Sequence, residues 1–404
     1  MTASPISENL ARIRKARDLS QEQLAEKSGL GVDTVSRIEQ GTRASSRPAT
    51  LHRLAHALDV TVEKLLGGTP DKAGIAAGEV ASLRKAITAG DHIPGLTDFA
   101  ESAETVSLKA AERSAHNAWR AYVDGHHAEL LHALPVVLVD ARRLVRATAG
   151  FEQAAAHRVL STAYRLGAGL AGRLELDDLA WTSAELALRA AAHSDAPDIE
   201  SAVSLRYLAW TLIRQGRESE AEQVAVKAAE KIQPGMLDRD PARAGVFGNL
   251  LFNAATAALR TGNADRAEDL LAEAQAAAVR ARSDSASEAA IFGPRVAALQ
   301  QIERAVRAGD PELALRLAGS VPEVRGGEVP AFWESGHRLM PASAAAELRR
   351  DREALRYLVE ARDLAPDWVR YQPLGATIME HLLDRAPRRF GTRLGELAAH
   401  YGIC

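Results

Sequence analysis

The side chains best equipped for chemistry in this 404-residue chain are binders, not catalysts. Asn249 and Asn253 lie one helical turn apart in the stretch FGNLLFNAATAAL. An amide both donates and accepts, so such a pair can clamp an extended peptide backbone whatever its sequence. Upstream, Arg206 and Trp210 share a helical face, with Arg214 one turn beyond. A guanidinium there can bind a carboxylate, and an indole can pack against a ligand side chain. Leu205, Leu208, Ala209 and Leu212 supply the packing faces of that helix, which leaves Arg206, Trp210 and Ile213 toward a binding surface. Asn117, Tyr164, Arg295 and Trp333 are further ligand-binding candidates.

Other tempting groups do not assemble into a site. Adjacent His126 and His127 point apart on a helix or turn, and no cysteine or carboxylate cluster completes a metal site, so both are expected on the surface. The glycines of Gly167-Ala-Gly-Leu-Ala-Gly follow no strand and lack a phosphate-loop lysine, which leaves nucleotide binding unsupported. Cys404 is the single cysteine, so no intrachain disulfide can form. No Ser/His/Asp constellation emerges. The expectation is a protein without metal, cofactor or catalytic activity.

The binding candidates sit on a helical repeat. From about residue 100 onward the chain is rich in alanine and leucine at helical spacing and shows no convincing strand. Turn signals recur at Gly125, Gly172, Gly216, Gly262 and Gly309, and Arg350-Asp-Arg-Glu-Ala takes the next equivalent place without the glycine. The intervals are 47, 44, 46, 47 and 41 residues, a period that means stacked helix pairs. At each turn the glycine ends the first helix, acidic residues start the second, and an alanine permits close packing. Six pairs result, followed by closing helices near 371–385 and 390–401. The array resembles tetratricopeptide repeats with lengthened helices. Stacked pairs of that kind form a superhelix whose concave side is lined by the first helix of each pair.

The N-terminal residues carry a different pattern. Residues 19–41 read LSQEQLAEKSGLGVDTVSRIEQG, two short helices joined by a tight turn. Ser20 can cap the first helix and Gln23 can complete a capping box. Leu24 and Ala25 face inward, and Gly29 stands where a left-handed residue is cheapest. Val35 and Ile38 form the buried stripe of a second helix from about Gly31 to Gln40. This is a helix-turn-helix, whose second helix lies in the DNA major groove. Leu10 and Ile13 mark a helix before it. Leu51, Leu54, Ala55 and Leu58 mark one after it, started near Pro48. Val62, Leu65 and Leu66 form a short fifth helix that Thr61 can cap.

Across residues 6–67 the order L-S-Q-x-x-L-A-x-x-S-G followed by V-S-R-I-E-x-G closely resembles the Cro/C1-type (XRE) DNA-binding family. The resemblance implies a buried ion pair between Arg14 and Glu39. It also implies DNA contacts from Gln21, Val32, Asp33, Thr34, Ser36 and Arg37, with Thr42, Arg43 and Arg47 in the following loop placed for phosphates. Arg37 can pair bidentately with guanine, and Val32 can offer only methyl contact, for instance to thymine. Gln21 reaches a phosphate or an adenine edge, and Thr34 and Ser36 suit either. Asp33 would repel phosphate. It stabilises the helix N-terminus or accepts from a cytosine amino group.

A head of this type on a helical-repeat body resembles the RRNPP peptide-sensing regulators. That likeness implies a groove that binds a signal, typically a short quorum-sensing peptide, with asparagines on groove-facing helices. Residues 1–66 hold 10 Lys/Arg and 8 Asp/Glu, a net +2, against −5 for the rest. So mild a charge gives weak binding by one head alone, and the expectation is a homodimer on a pseudo-palindromic double-stranded operator. The alternative is an interaction scaffold, or a regulator that senses a small molecule or a partner protein. Hydrophobic content of 47% and charged content of 25% describe an ordinary globular chain. The most apolar run, near Leu130–Val139, is too short to span a bilayer, so no membrane contact is expected and the protein is placed in the cytoplasm. The expected fold is all-α: a five-helix head at 1–67, a linker with a helix at 68–104, and an α-solenoid for ligand binding and dimerisation at 105–404.

Overall fold

Alanine and leucine at helical spacing leave almost nothing else to form. The computed structural model describes residues 5–17, 19–41, 48–58, 77–89, 106–235, 238, 240–281, 283–322, 329–370, 372–385 and 392–403. The short helices α1 (Pro5–Ala16), α2 (Gln21–Ser28), α3 (Val32–Glu39) and α4 (Pro48–Leu58) come first, then α5 (Ala77–Thr88). Six pairs follow: α6 (Leu108–Val123) and α7 (His127–Ala147), α8 (Gly150–Arg173) and α9 (Asp177–Ala192), α10 (Pro197–Arg214) and α11 (Glu218–Ile232). The next are α12 (Pro241–Arg260) and α13 (Ala264–Ala281), α14 (Pro294–Arg307) and α15 (Pro311–Gly319), α16 (Ala331–Glu347) and α17 (Asp351–Leu364). A short α18 (Pro366–Val369), α19 (Pro373–Arg385) and α20 (Thr392–His400) close the chain. The fifth head helix, expected at Val62, Leu65 and Leu66, lies outside the described residues.

One element departs from the all-helical expectation. Between α13 and α14, β1 (Ser285–Ala286) pairs antiparallel with β2 (Ile291–Phe292). Each strand is two residues long and set among small residues, too short for a period-two pattern to show in sequence.

Two compact units divide the chain: residues 1–74 with 341–404, and residues 75–340. The division falls at Pro341, inside α16. In the first unit, Leu10, Ile13, Leu24, Val35, Ile38, Leu54 and Leu58 share one buried core. α1 also packs on α19 and α20. Arg12 Nη1 reaches Glu380 Oε1 at 2.8 Å, and Lys15 Nζ stands 3.8 Å from Asp384 Oδ1.

In the second unit each pair packs on the next, and the first helices also touch in series: α6 on α8, α8 on α10, α10 on α12, α12 on α14. Most turns between paired helices use a left-handed glycine, at Gly125, Gly216, Gly262 and Gly309. Gly172 does not serve this way, contrary to the sequence reading. It stays inside α8, and Glu175 takes the left-handed turn at φ 60°. The glycine instead makes room for Trp210: a Cβ at Gly172 would come within 2.5 Å of Trp210 Cζ3. Gly169 accommodates Tyr122 in the same manner. α5, read from sequence as part of a linker, packs on α7, α8 and α9 with Leu83 and Ile87 fully buried. Arg142, itself buried on α7, donates to the Ala86 carbonyl at 2.5 Å.

His127 corrects a further expectation. It is buried, not on the surface, with its ring edge-on to Tyr122 at 6.2 Å. Burial, aided by the nearby Arg173 guanidinium and by His126, lowers its pKa to about 3. Its Nε2 has no hydrogen-bond partner among the described residues. Because the folded state resists protonation, this group's contribution is fully present above pH 6.5 and is lost as pH falls toward 3. The expected slope is about 1.4 kcal/mol per pH unit across that window. Urea unfolding of full-length His127→Phe at a series of pH values should show that acid-side slope reduced by about this amount. An unchanged slope would place the effect elsewhere.

Candidate functional site

The helix-turn-helix is built by caps and one buried charge pair. Ser20 Oγ accepts from the Gln23 backbone N–H at 3.1 Å, and Gln23 Oε1 accepts from the Ser20 N–H at 2.7 Å. That reciprocal box starts α2. Gly29 (φ 64°) ends it in a left-handed cap, with Leu30 N–H returning to the Ala25 carbonyl at 2.9 Å. Arg53 of α4 braces this turn by donating to the carbonyls of Ser28 and Gly29. No sequence signal singled out Arg53.

Arg14 and Glu39 meet bidentately, Nε to Oε1 at 2.6 Å and Nη2 to Oε2 at 2.9 Å. Their side chains are only 11% and 7% exposed. Arg14 Nη1 also donates to the Leu19 carbonyl at 2.7 Å, so one guanidinium ties α1, the turn before α2, and the end of α3. Gln21 joins the same cluster, with Nε2 donating to Glu39 Oε2 at 2.7 Å. Its amide therefore orients α3 as well as standing at the start of α2.

On α3 the apolar stripe is buried at Val35 and Ile38, while Val32, Asp33 and Arg37 stand exposed along the opposite side. Thr34 and Ser36 are half-buried between them, and Gln40 Nε2 donates to Ser36 Oγ at 3.0 Å. Asp33 lies in the first turn of α3, where a carboxylate favours the positive end of the helix dipole. Among the described residues, Val32 is one of the few large apolar side chains left in water, at 40% exposure. Thr42, Arg43 and Arg47 lie outside the described residues.

The ligand candidates fall into separate groups. Arg206, Asn249 and Asn253 come together where α10 meets α12: Arg206 Nη1 donates to Asn249 Oδ1 at 3.2 Å, and Asn253 Nδ2 donates to the Arg206 carbonyl at 2.9 Å. Asn249 Nδ2 donates to the Ile291 carbonyl of β2 at 2.8 Å. Both amides thus already hold backbone carbonyls of this chain. Trp210 lies over Gly172, with the Arg214 guanidinium 5.2 Å from its ring and Arg214 Nε 3.0 Å from Asp177 Oδ1. Ile213, expected toward the binding surface, is buried core and packs with Leu212 and Ala257. Asn117 is exposed on α6. Tyr164 is buried, and its hydroxyl accepts from Arg142 at 3.2 Å. Arg295 forms a bidentate pair with Glu334, and Trp333 stacks on His337 at 4.0 Å between ring centroids.

Sequence reasoning missed a buried polar seam between α8 and α10. Arg165 Nη1 meets Glu200 Oε2 at 2.6 Å, and Arg165 Nη2 donates to Thr162 at 2.7 Å. An acidic residue in the first turn of a helix is common on an exposed terminus, so nothing in the sequence marked Glu200 as buried.

Removing Glu39 would strand the buried Arg14 guanidinium. Glu39→Ala should cost the head about 3–5 kcal/mol. In the full chain this is read as faster amide exchange in α1–α3, with exchange in α8–α12 unchanged. Equal protection in both regions would show that the pair carries little of the head's stability.

Residues 10–65 match the family described as Helix-turn-helix. The uncharacterized HTH-type transcriptional regulator RghRB of Bacillus subtilis (strain 168) is 43% identical over 63 residues, which are 16% of this chain and 45% of that protein. The HTH-type transcriptional repressor RghR of the same organism is 42% identical over 59 residues, covering 15% and 44%. The chain spans less than half the length of these curated relatives. Among solved structures, Bacillus thuringiensis PlcR in complex with the peptide PapR7 and DNA aligns with 90% of this chain and 94% of that one, at 11% identity and a TM-score of 0.33. The apo form of ComR from S. thermophilus covers 86% and 99%, at 12% identity and a TM-score of 0.31. Taken with the caps, the Arg14–Glu39 pair and the exposed face of α3, the family match makes residues 10–65 a helix-turn-helix domain of the XRE type.

Proposed function

We propose that this protein is a sequence-specific transcriptional regulator whose head reads an operator and whose repeat array binds a signal, a short peptide in the simplest case. The observation that carries the DNA half is the division of α3 into a buried stripe at Val35 and Ile38 and an exposed stripe at Val32, Asp33 and Arg37. A helix held from behind by a buried ion pair and presenting an arginine outward is built to enter a major groove. In this reading Arg37 pairs with a guanine edge and Val32 packs on a thymine methyl. Thr34, Ser36 and the second amide hydrogen of Gln21 address phosphates. Thr42, Arg43 and Arg47 extend that phosphate contact along the loop. Asp33 serves the helix terminus.

The peptide half rests on Asn249 and Asn253. Each already donates to a main-chain carbonyl, which is the bond such amides would make to an extended ligand. Arg206 stands beside them, with Trp210 and Arg214 one and two turns further along α10. Two heads act together in this reading, because a head of net +2 attracts phosphates only modestly. The array, of tetratricopeptide type, carries the dimer contact.

Genomic footprinting with the purified full-length protein tests the DNA reading. One preferred fragment should emerge, and Arg37→Ala should weaken binding to it by roughly tenfold to a hundredfold, the equivalent of ~1–3 kcal/mol. Binding without preference among fragments would overturn it. Light scattering should return the mass of a dimer, free and on DNA; a monomer in both states would remove the paired-head reading.

A further inference from the structure

The hairpin β1–β2 is held less by its own ladder than by one face of α12. Its ladder has only two residue pairs, Ser285 with Phe292 and Ala286 with Ile291. So short a ribbon has little stability of its own. Ser285 and Ser287 are exposed, whereas Ile291 and Phe292 are buried, Phe292 at 1% exposure. Phe292 lies over Gly245 and Gly248, which sit one turn apart on α12. A Cβ at Gly248 would overlap its ring, and one at Gly245 would lie 2.9 Å from the Ala290 Cβ. Phe252 closes the seat, with ring centroids 5.7 Å apart. Beside it, Asn249 donates to the Ile291 carbonyl at 2.8 Å. At the tip, Glu288 meets His116 of α6 at 2.8 Å in an exposed pairing.

A side-chain amide on a main-chain carbonyl and an aromatic ring in a cradle cleared by glycines are contacts that an extended peptide can also make. We propose that Gly245, Gly248, Asn249 and Phe252 form an aromatic subsite for an extended peptide, and that the chain's own Ile291-Phe292 segment is its resident occupant. An outside peptide with an aromatic residue at the matching place displaces the hairpin and takes over the Asn249 bond. Its apparent affinity is lowered by the fraction of time the hairpin is docked. This deepens the reading of the array as a peptide-binding surface and rests on it.

The probe is a fluorescently labelled peptide of residues 283–293, Ser-Asp-Ser-Ala-Ser-Glu-Ala-Ala-Ile-Phe-Gly, titrated against the full-length protein by anisotropy. Phe292→Ala vacates the cradle and should capture the peptide at least roughly tenfold more tightly than the natural chain. Capture should disappear when the peptide's own phenylalanine is alanine, and when Gly248→Val refills the cradle in the Phe292→Ala background. Equal affinity for the natural chain and the variant, or for the two peptides, overturns the proposal. If Phe292→Ala loses its helical circular dichroism, Phe292→Leu is used in its place and should show weaker but still enhanced capture. If neither variant folds, Phe292 is core and not an occupant, and the proposal fails. The assay contains no DNA, so a failure to find an operator would sink the regulator reading without altering this result.

Discussion

Where a helix carries no Cβ, a neighbouring ring can lie directly on its backbone, and the unit at 75–340 is assembled around that contact. Gly169 receives Tyr122, Gly172 receives Trp210, and Gly248 receives Phe292. Each glycine inside a helix costs about 1 kcal/mol relative to alanine. Burying a large apolar side chain against it contributes roughly 1.5–3 kcal/mol, so the exchange is favourable. It is also directional. A ring fits only where the glycine is, so these contacts fix the rotation of α8 against α6 and α10, and of α12 against the hairpin. The buried Arg165–Glu200 pair adds a second register mark between α8 and α10, since a misaligned helix would leave a charge unpaired in the interior.

The head solves a similar problem with charge. Its core is small, and its first and third helices meet through side chains with little to specify their rotation. Arg14 supplies that specification by engaging Glu39 with two nitrogens and the Leu19 carbonyl with a third. Gln21 adds a third element to the same carboxylate. The orientation of Arg37 is thus set from the far side of α3 by a cluster that never leaves the protein. α1 has a second commitment, because it also carries Arg12 and Lys15 toward Glu380 and Asp384. These outer pairs are partly exposed and individually weak, worth about 0–1 kcal/mol each. The internal cluster therefore holds the head's shape, and the outer pairs decide only how firmly α1 stays on α19.

The head was legible because its signals are local. Ser20, Gln23 and Gly29 specify caps through spacing alone, and the structure forms each of them where the spacing required. The repeat was legible for the same reason at Gly125, Gly216, Gly262 and Gly309. Gly172 shows where local reasoning fails, since its role is set by Trp210, 38 residues away, and the turn passes to Glu175. His127 and Ile213 fail in the same way: a charged-looking dipeptide and a helical isoleucine are assigned sides by partners that no periodicity reveals. The hairpin was invisible because its strands are two residues long and its one strong anchor, Phe292, has its meaning only opposite Gly245 and Gly248.

Polar satisfaction limits what can bind the first helices. Asn249 is 7% exposed and has both ends of its amide engaged, with Arg206 and with Ile291. Asn253 is committed to the Arg206 carbonyl. A ligand that pushed these groups aside without replacing their bonds would leave buried donors unsatisfied, at about 1–3 kcal/mol apiece. An apolar small molecule cannot make that replacement. A peptide can, because it presents a carbonyl and an N–H at every residue. In the proposed reading, the resident contacts favour a guest with a main chain before any side chain of the guest is considered. What remains for side chains to specify is the occupant of the cradle over Gly248, whose open backbone and aromatic wall at Phe252 suit a flat ring better than a branched aliphatic group.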